Sequence, residues 1–144
     1  MGFGKVLIAV DEDPLAMHAA EVGIELARSL GAQIALIHAL DPSVTYAPEA
    51  GISADELALV AERDGKRMMA DMRARLPAGT NAVQFIVPGP AGVEIPKAAK
   101  EWAADVIVIG SHGRRGITRA ILGSVAEAVM RNAPCPVLIV RTRA

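Results

Sequence analysis

Short apolar segments alternate with amphipathic segments along the whole chain. The first of them, residues 5–10, lacks the alternation of apolar and polar residues that marks a half-exposed strand. Such a run favours a strand covered on both faces, as in a parallel sheet. Five strands are predicted in this way, over residues 5–10, 33–39, 82–87, 105–110 and 136–141. Their alternation with helices predicts βαβ units, and therefore an α/β fold with a five-stranded parallel sheet between helices.

Capping signals between the strands predict four helices. Asp13 followed by Pro14 marks the start of the first helix, and Gly31 marks its end. A capping box at residues 53–56 starts a long second helix that ends near residue 76. The last two helices are predicted over residues 93–103, with Pro96 in the first turn, and 121–132. Residues 40–52 and 111–120 are predicted loops.

Length and composition favour one domain over residues 1–144, since no repeat or linker interrupts the pattern. The hydrophobic fraction is 52% with 27 alanines, so small and branched side chains are expected to build the core. No apolar run approaches the ~20 residues that cross a bilayer, and no signal peptide is recognised. The single cysteine, Cys135, excludes an internal disulfide framework and is expected to be a buried, inert thiol. We therefore expect a cytoplasmic protein without membrane contact.

The charge is unevenly distributed along the chain. The net charge of −1 creates no global field that would favour nucleic acid, so no nucleic-acid partner is expected. Residues 1–72 carry 12 acids and 5 bases, whereas residues 73–144 carry 4 acids and 10 bases. This asymmetry fits an anionic partner for the second half of the chain. It fits equally well two halves that neutralise each other in the folded protein.

A glycine-rich segment leaves the fourth predicted strand and enters the last helix. Gly110 and Gly113 allow a ligand to approach the main chain closely, because no Cβ intervenes. Gly123 and Ser124 lie near the start of the helix, where free N–H groups and the helix dipole favour an anion. The segment is thus interpreted as a phosphate cradle or as a loop that merely turns a corner. It matches neither the Walker A motif nor the dinucleotide fingerprint.

The spacing Gly-2x-Gly-9x-Gly-Ser resembles the nucleotide-binding motif of the universal stress protein family. Its four positions are Gly110, Gly113, Gly123 and Ser124. The resemblance continues almost without a break over residues 105–141 and extends to residues 6–11 and to His38. It implies an ATP-binding, Rossmann-like domain with strand order 3-2-1-4-5 and the ligand between strands one and four. Some members of the family lack the glycine motif and do not hold ATP, whereas this sequence has it complete.

The same resemblance implies which residues hold the nucleotide. Asp11 would contact the nucleoside, and magnesium would be bound through the ATP phosphates. The ribose and phosphates would lie against Gly110, Gly113, Gly123, Ser124 and Val125. The adenine slot would be lined by Ala9, Val10, Ala39 and Ile109.

Several of these residues have a second interpretation. Asp11 would contact the ligand or, together with Asp13, cap the first helix. His112 would touch phosphate or pack on its own loop, while His18 and His38 are expected to be structural. One of three arginines is expected to approach the phosphates, the others forming a solvated loop surface. These arginines are Arg114, Arg115 and Arg119.

The residues favour a nucleotide-dependent regulatory protein over an enzyme, and the family resemblance implies that it acts in the stress response. Neither a nucleophile elbow nor a nucleophile with a base in clear reach is recognised in the sequence. Slow ATP hydrolysis is the most that we expect. A weak Mg-dependent ATPase on the same site and a nucleotide-free dimeric interaction module remain the alternatives.

The family resemblance also implies a homodimer. The last strand, between Pro136 and Arg141, would pair antiparallel with its copy in a second chain. An apolar strand at a sheet edge promotes aggregation unless it is covered or paired. Pairing about a two-fold axis would close this edge.

Overall fold

The strands form one parallel sheet in the computed structural model, which describes residues 2–11, 13–41, 53–111 and 122–141. The strands are β1 Lys5–Ala9, β2 Gln33–Leu40, β3 Ala82–Pro88, β4 Val106–Gly110 and β5 Val137–Val140. The helices are α1 Pro14–Leu30, α2 Ala54–Ala74, α3 Ala91–Trp102 and α4 Ser124–Asn132. All four strand pairings are parallel, and the order is β3-β2-β1-β4-β5. The predicted fold class and strand order are confirmed.

Two hydrophobic clusters lie on opposite faces of the sheet, because successive strand residues point to opposite sides. Val6 and Ile8 of β1 face α1 and α2, whereas Leu7 and Ala9 face α3 and α4. All four of these side chains are buried. Cover on both faces explains why the central strands show no apolar–polar alternation in the sequence.

Two helices approach their neighbours closely at positions that are occupied by glycine, which has no side chain. A Cβ on Gly23 of α1 would lie 2.8 Å from Ile8 Cγ1, so α1 packs directly on the sheet. A Cβ on Gly92 of α3 would lie 2.8 Å from the Cβ of Ala128 in α4. The first turn of α3 is therefore held against α4, and both helices begin at the same end of the sheet.

The predicted capping residues of α1 and α2 are confirmed. The Asp13 carboxylate accepts a hydrogen bond from the Leu15 N–H at 2.7 Å, and Pro14 is the first helical residue. The Ser53 hydroxyl accepts a hydrogen bond from the Glu56 N–H at 3.1 Å. Side-chain oxygens thus satisfy N–H groups that the first helical turn leaves without a partner.

Several predicted boundaries differ from the structure, among them those of the third helix, the fourth helix and the last strand. The third helix begins at Ala91, so Pro96 is its sixth residue and lies in the second turn rather than the first. Its nitrogen carries no hydrogen and cannot donate to the carbonyl four residues earlier. The fourth helix begins at Ser124 rather than at residue 121, because Gly123 has an extended ψ of 151°. The last strand is shorter than predicted, since its parallel pairing with β4 spans only Val137–Val140.

Residues 42–52 and 112–120 of the predicted loops lie outside the described residues, and so does residue 121, the first of the predicted last helix. Within the described ranges, no helix is both long enough and apolar enough to cross a bilayer.

Candidate functional site

A cavity of about 110 Å³ opens at the carboxyl ends of the central strands. Three strands and three helices meet there: β1, β2 and β4 end at the cavity, and α1, α3 and α4 begin at it. The lining residues are Ala9, Val10, Asp11, Asp13, Ala16, Ile37, His38, Ala39, Ala91, Ile95, Ile109, Gly110, Val125 and Ala126. The strand order reverses between β1 and β4, and the crevice at such a reversal is where open α/β sheets bind ligands.

The inner wall of the cavity consists of small and branched apolar side chains. Ala9 and Ile109 come from adjacent strands and belong to the same hydrophobic cluster as Ile37. Ile95, near the start of α3, closes this wall from the helix side. The wall is therefore suited to a flat apolar group that is placed against the ends of the strands.

The main chain of Val10, one residue beyond the end of β1, is held at both of its polar atoms. Its N–H donates to the Ile37 carbonyl oxygen at 2.9 Å. Its carbonyl oxygen lies 3.0 Å from Nδ1 of His38. A carbonyl oxygen can only accept, so Nδ1 carries the proton in this contact. These two hydrogen bonds fix the main chain directly before Asp11, which lines the cavity.

Two carboxylates, those of Asp11 and Asp13, line the cavity. Asp13 is the residue whose carboxylate caps α1. Asp11 lies half-buried between the end of β1 and this cap, and it lines the same cavity. The sequence left open whether Asp11 shares the cap with Asp13. The cap bond to Leu15 comes from Asp13, and the ligand role of Asp11 stays a prediction.

The start of α4 is joined to the end of β4 by main-chain hydrogen bonds. The Gly123 N–H donates to the carbonyl oxygen of Ser111 at 2.6 Å, and the Ser111 N–H donates to that of Val140 at 2.8 Å. Ser111 is buried, with 3% of its surface exposed. Both ends of the glycine-rich segment are thus fixed where the sheet meets α4.

The helices that begin at the cavity differ in their caps. A side chain caps α1, whereas Pro90 and Gly123, the N-cap residues of α3 and α4, make no side-chain cap hydrogen bond. The first-turn N–H groups of a helix carry partial positive charge and favour an anion. At α4 this end lies beside the cavity, since Val125 and Ala126 of its first turn line it.

The structure brings most of the predicted site residues together. Seven of them line the cavity: Ala9, Val10, Asp11, Ala39, Ile109, Gly110 and Val125. Gly123 and Ser124 form the adjoining start of α4. His112 and Gly113, and also Arg114, Arg115 and Arg119, lie outside the described residues.

The sequence analysis missed the lining residues of α3. His38, which is expected to be structural, makes a hydrogen bond to the main chain of Val10 and also lines the cavity. Ile37 could have been found, because it precedes Ala39 by two residues and so faces the same side of β2. Ala91 and Ile95 carried no local signal, since only the packing of α3 on the sheet places them at the cavity.

A larger groove of about 760 Å³ lies between α1 and α2. Charged side chains of both signs line it, among them Glu21, Arg67, Asp71 and Arg75. We favour the smaller cavity as the functional site, because it lies at the reversal of strand order. Within the described ranges, no group of three or more His, Cys, Asp or Glu side chains is arranged to hold a metal ion.

Comparison with known proteins gives a family match over nearly the whole chain. The sequence model described as "Universal stress protein family" matches residues 2–141. The chain is 34% identical over 146 residues to Universal stress protein A homolog 2 of Coxiella burnetii. That alignment covers 98% of this chain and 97% of the relative.

Solved structures share the fold at lower sequence identity. Universal stress protein UspA from Lactobacillus plantarum matches with a TM-score of 0.81 at 23% identity, over 98% of this chain and 99% of that one. A universal stress protein in complex with cAMP matches with a TM-score of 0.65 at 22% identity, over 99% and 100%. The universal stress protein from Archaeoglobus fulgidus in complex with dAMP matches with a TM-score of 0.65 at 24% identity, over 98% and 100%.

Proposed function

This chain belongs to the universal stress protein family, and we propose that it binds an adenine nucleotide, ATP above all, in the cavity between β1 and β4. The observation that carries the proposal is the position of this cavity, where the strand order reverses and α4 begins without a side-chain cap. Solved universal stress proteins in complex with cAMP and dAMP support an adenine nucleotide as the ligand class.

The adenine ring is assigned to the apolar inner wall. Ala9, Ala39 and Ile109, which the family resemblance implied, are joined there by Ile37 and Ile95. Drug-sized ligands occupy pockets of roughly 300 to 1,000 Å³, and this cavity holds about 110 Å³. The cavity is therefore smaller than a whole nucleotide requires, so the ribose and phosphates would extend from it along the ends of β1 and β4.

In the proposal, the charges around the cavity determine where the ribose and the phosphates lie. The carboxylates of Asp11 and Asp13 repel phosphate but accept hydrogen bonds from hydroxyl groups, so the ribose is placed beside Asp11. The phosphates are placed at the first turn of α4, at Gly123, Ser124 and Val125, where main-chain N–H groups and the helix dipole attract anions. Gly110 lets the chain approach the ligand closely between these two regions.

The remaining parts of the proposal rest on the sequence. His112 and Gly113 complete the phosphate site in the proposal, and Mg²⁺ is bound through the phosphates of ATP. The proposed regulatory role in the stress response depends on whether nucleotide is bound at the site, and not on its hydrolysis.

The proposed partner is a second copy of the chain. β5 is the end strand of the sheet and pairs with β4 on one side, and its Leu138 is 38% exposed. An exposed apolar edge is a template for pairing with another strand. Antiparallel pairing of β5 with its copy would extend the sheet across the dimer axis.

Isothermal titration calorimetry of nucleotide-free protein tests the nucleotide proposal. Mg·ATP is expected to bind saturably and more tightly than AMP, because the additional phosphates would contact the start of α4. Equal affinity for ATP and AMP would contradict the phosphate assignment. Absence of binding by both nucleotides would contradict the proposed function as a whole.

A further inference from the structure

The hydrogen-bond ladder between β1 and β2 ends at the cavity wall. Main-chain pairing continues up to Ala9, which lies opposite Ile37. The next residue, Val10, still donates its N–H to the Ile37 carbonyl at 2.9 Å. Its carbonyl oxygen, however, is bonded by a side chain, the imidazole of His38 at 3.0 Å. The ring thus takes the place that a main-chain donor of β2 would occupy in a continued ladder.

The imidazole ring of His38 lies between β1 and α2. A Cβ on Gly65 of α2 would lie 3.1 Å from Cδ2 of His38 and 3.0 Å from Cδ2 of Leu40. Glycine at this helical position therefore leaves the room that the ring requires. Gly65 is itself buried, so the ring is confined between the helix and the Val10 carbonyl.

The contact reaches the proposed ligand site through one peptide group. The carbonyl of Val10 and the N–H of Asp11 belong to the same planar unit, so fixing one fixes the direction of the other. Asp11 is the residue placed beside the ribose, and it follows directly on this unit. We infer that His38 is a positioning residue for nucleotide binding, which holds the Val10–Asp11 peptide group through its Nδ1–H. This inference rests on the proposed function.

Substitutions that differ in the position of one N–H group test the inference. Asn carries its amide nitrogen as many bonds from Cα as Nδ1 of histidine, whereas the amide nitrogen of Gln corresponds to Nε2. His38→Asn is therefore expected to bind Mg·ATP within about threefold of the wild-type affinity. His38→Gln and His38→Leu are expected to bind about tenfold more weakly, the effect of one lost hydrogen bond.

Two readouts separate positioning from a general loss of structure. Urea unfolding identifies variants with intact stability, and the Asn and Gln variants provide the comparison if His38→Leu does not fold. In nucleotide-free protein, the Asp11 amide resonance in a ¹H–¹⁵N spectrum is expected to shift in the Gln and Leu variants and to stay near its wild-type position in His38→Asn. A merely structural histidine would not produce this order of variants.

The outcomes distinguish this inference from the proposed function. Wild-type protein that binds neither Mg·ATP nor AMP overturns the proposed function and this inference with it. Wild-type binding that His38→Gln and His38→Leu retain at full affinity overturns the inference alone. An Asn variant as weak as the Gln variant also overturns it, because the Nδ1–H would then not be the group that matters.

Discussion

The main-chain N–H of Gly123 donates a 2.6 Å hydrogen bond to the carbonyl oxygen of Ser111. This bond joins the residue after β4 to the residue before α4, so the two ends of the glycine-rich segment meet beside the cavity. Because Gly123 has no side chain, the N-cap residue itself makes no side-chain hydrogen bond to the first turn of α4. This fits the proposed binding of phosphate by the first-turn N–H groups.

A carboxylate at position 123 should block the phosphate site while leaving the fold intact. Gly123 has φ −62° and ψ 151°, a conformation that any residue adopts, so Gly123→Asp causes no backbone strain. Its side chain would cap α4 and repel phosphate, so Mg·ATP affinity should fall at least about tenfold. The stability should stay equal or rise by a few tenths of a kcal/mol, since aspartate caps a helix better than glycine. Calorimetry and urea unfolding measure the two effects.

Gly123→Ala is the matched control for this substitution. Alanine adds a Cβ but neither a cap nor a charge, so its loss of ATP affinity should be smaller than that of Gly123→Asp. An aspartate variant that binds Mg·ATP as tightly as the wild type would show that the phosphates do not lie at α4.

Removal of the two cavity carboxylates should change two different quantities, the ATP affinity for Asp11 and the stability for Asp13. Asp11→Ala is expected to weaken Mg·ATP binding about tenfold, because a hydrogen-bond acceptor for the ribose is lost. Asp13→Ala is expected to lower the free energy of unfolding by about 1 kcal/mol, because the Leu15 N–H loses its 2.7 Å cap bond. Asp13→Asn keeps a capping oxygen and serves as its control. Full ATP affinity in Asp11→Ala would argue against the ribose assignment.

The two edges of the sheet should respond differently to a charge. Leu138→Lys on β5 places an ammonium group on the edge proposed to pair with a second chain, so monomers are expected by analytical ultracentrifugation. Val83→Lys is the control, because Val83 is similarly exposed, at 42%, but lies on β3 at the opposite edge. It should remain dimeric. Val140 is unsuitable for this test, since its side chain belongs to the core. A dimer that persists in Leu138→Lys would exclude the β5 interface.

The thiol of Cys135 should react slowly with alkylating reagents. Burial raises the pKa of this thiol, and the negative charge of Asp105 raises the same pKa further. Only the thiolate reacts, so a raised pKa leaves less reactive form at any pH below it. The rate of alkylation by iodoacetamide should therefore rise at higher pH than for a free thiol, whose pKa is about 8.5.

Asp105→Asn separates the two causes of this raised pKa. The asparagine oxygen can still accept the N–H bonds of Gly4 and Lys5, which Asp105 accepts at 2.8 and 2.9 Å. Only the charge is removed, so the pH profile of the alkylation rate should move to lower pH. It should not reach the profile of glutathione, the free thiol used for comparison, because burial is the larger cause of the raised pKa. A wild-type profile equal to that of glutathione would contradict the account.

The sequence predicted the sheet well because burial on both faces leaves a local signal. Runs such as those of β1 and β4 contain almost no polar residue, and the capping residues Asp13 and Ser53 mark helix starts in the sequence itself. The start of α4 was placed too early, because residues 121–123 continue an apolar pattern until the glycine cap interrupts it.

The candidate site was only partly accessible from the sequence. Strand ends with polar or glycine residues, such as Asp11 and Gly110, could be recognised from the predicted topology. The contribution of α3 could not, since Ile95 reaches the cavity only through packing between helix and sheet. The bond from His38 to Val10 joins residues 28 apart, and no spacing rule predicts it.

The position of the nucleotide is tested most directly by amide chemical-shift mapping of the ¹⁵N-labelled protein during titration with Mg·ATP. Assigned shifts are expected at residues 9–11, at 109–111 and at 123–126, while the groove between α1 and α2 stays unchanged around Asp71 and Arg75. Shifts confined to that groove, or none at saturating nucleotide, would contradict the assignment of the cavity between β1 and β4 as the nucleotide site.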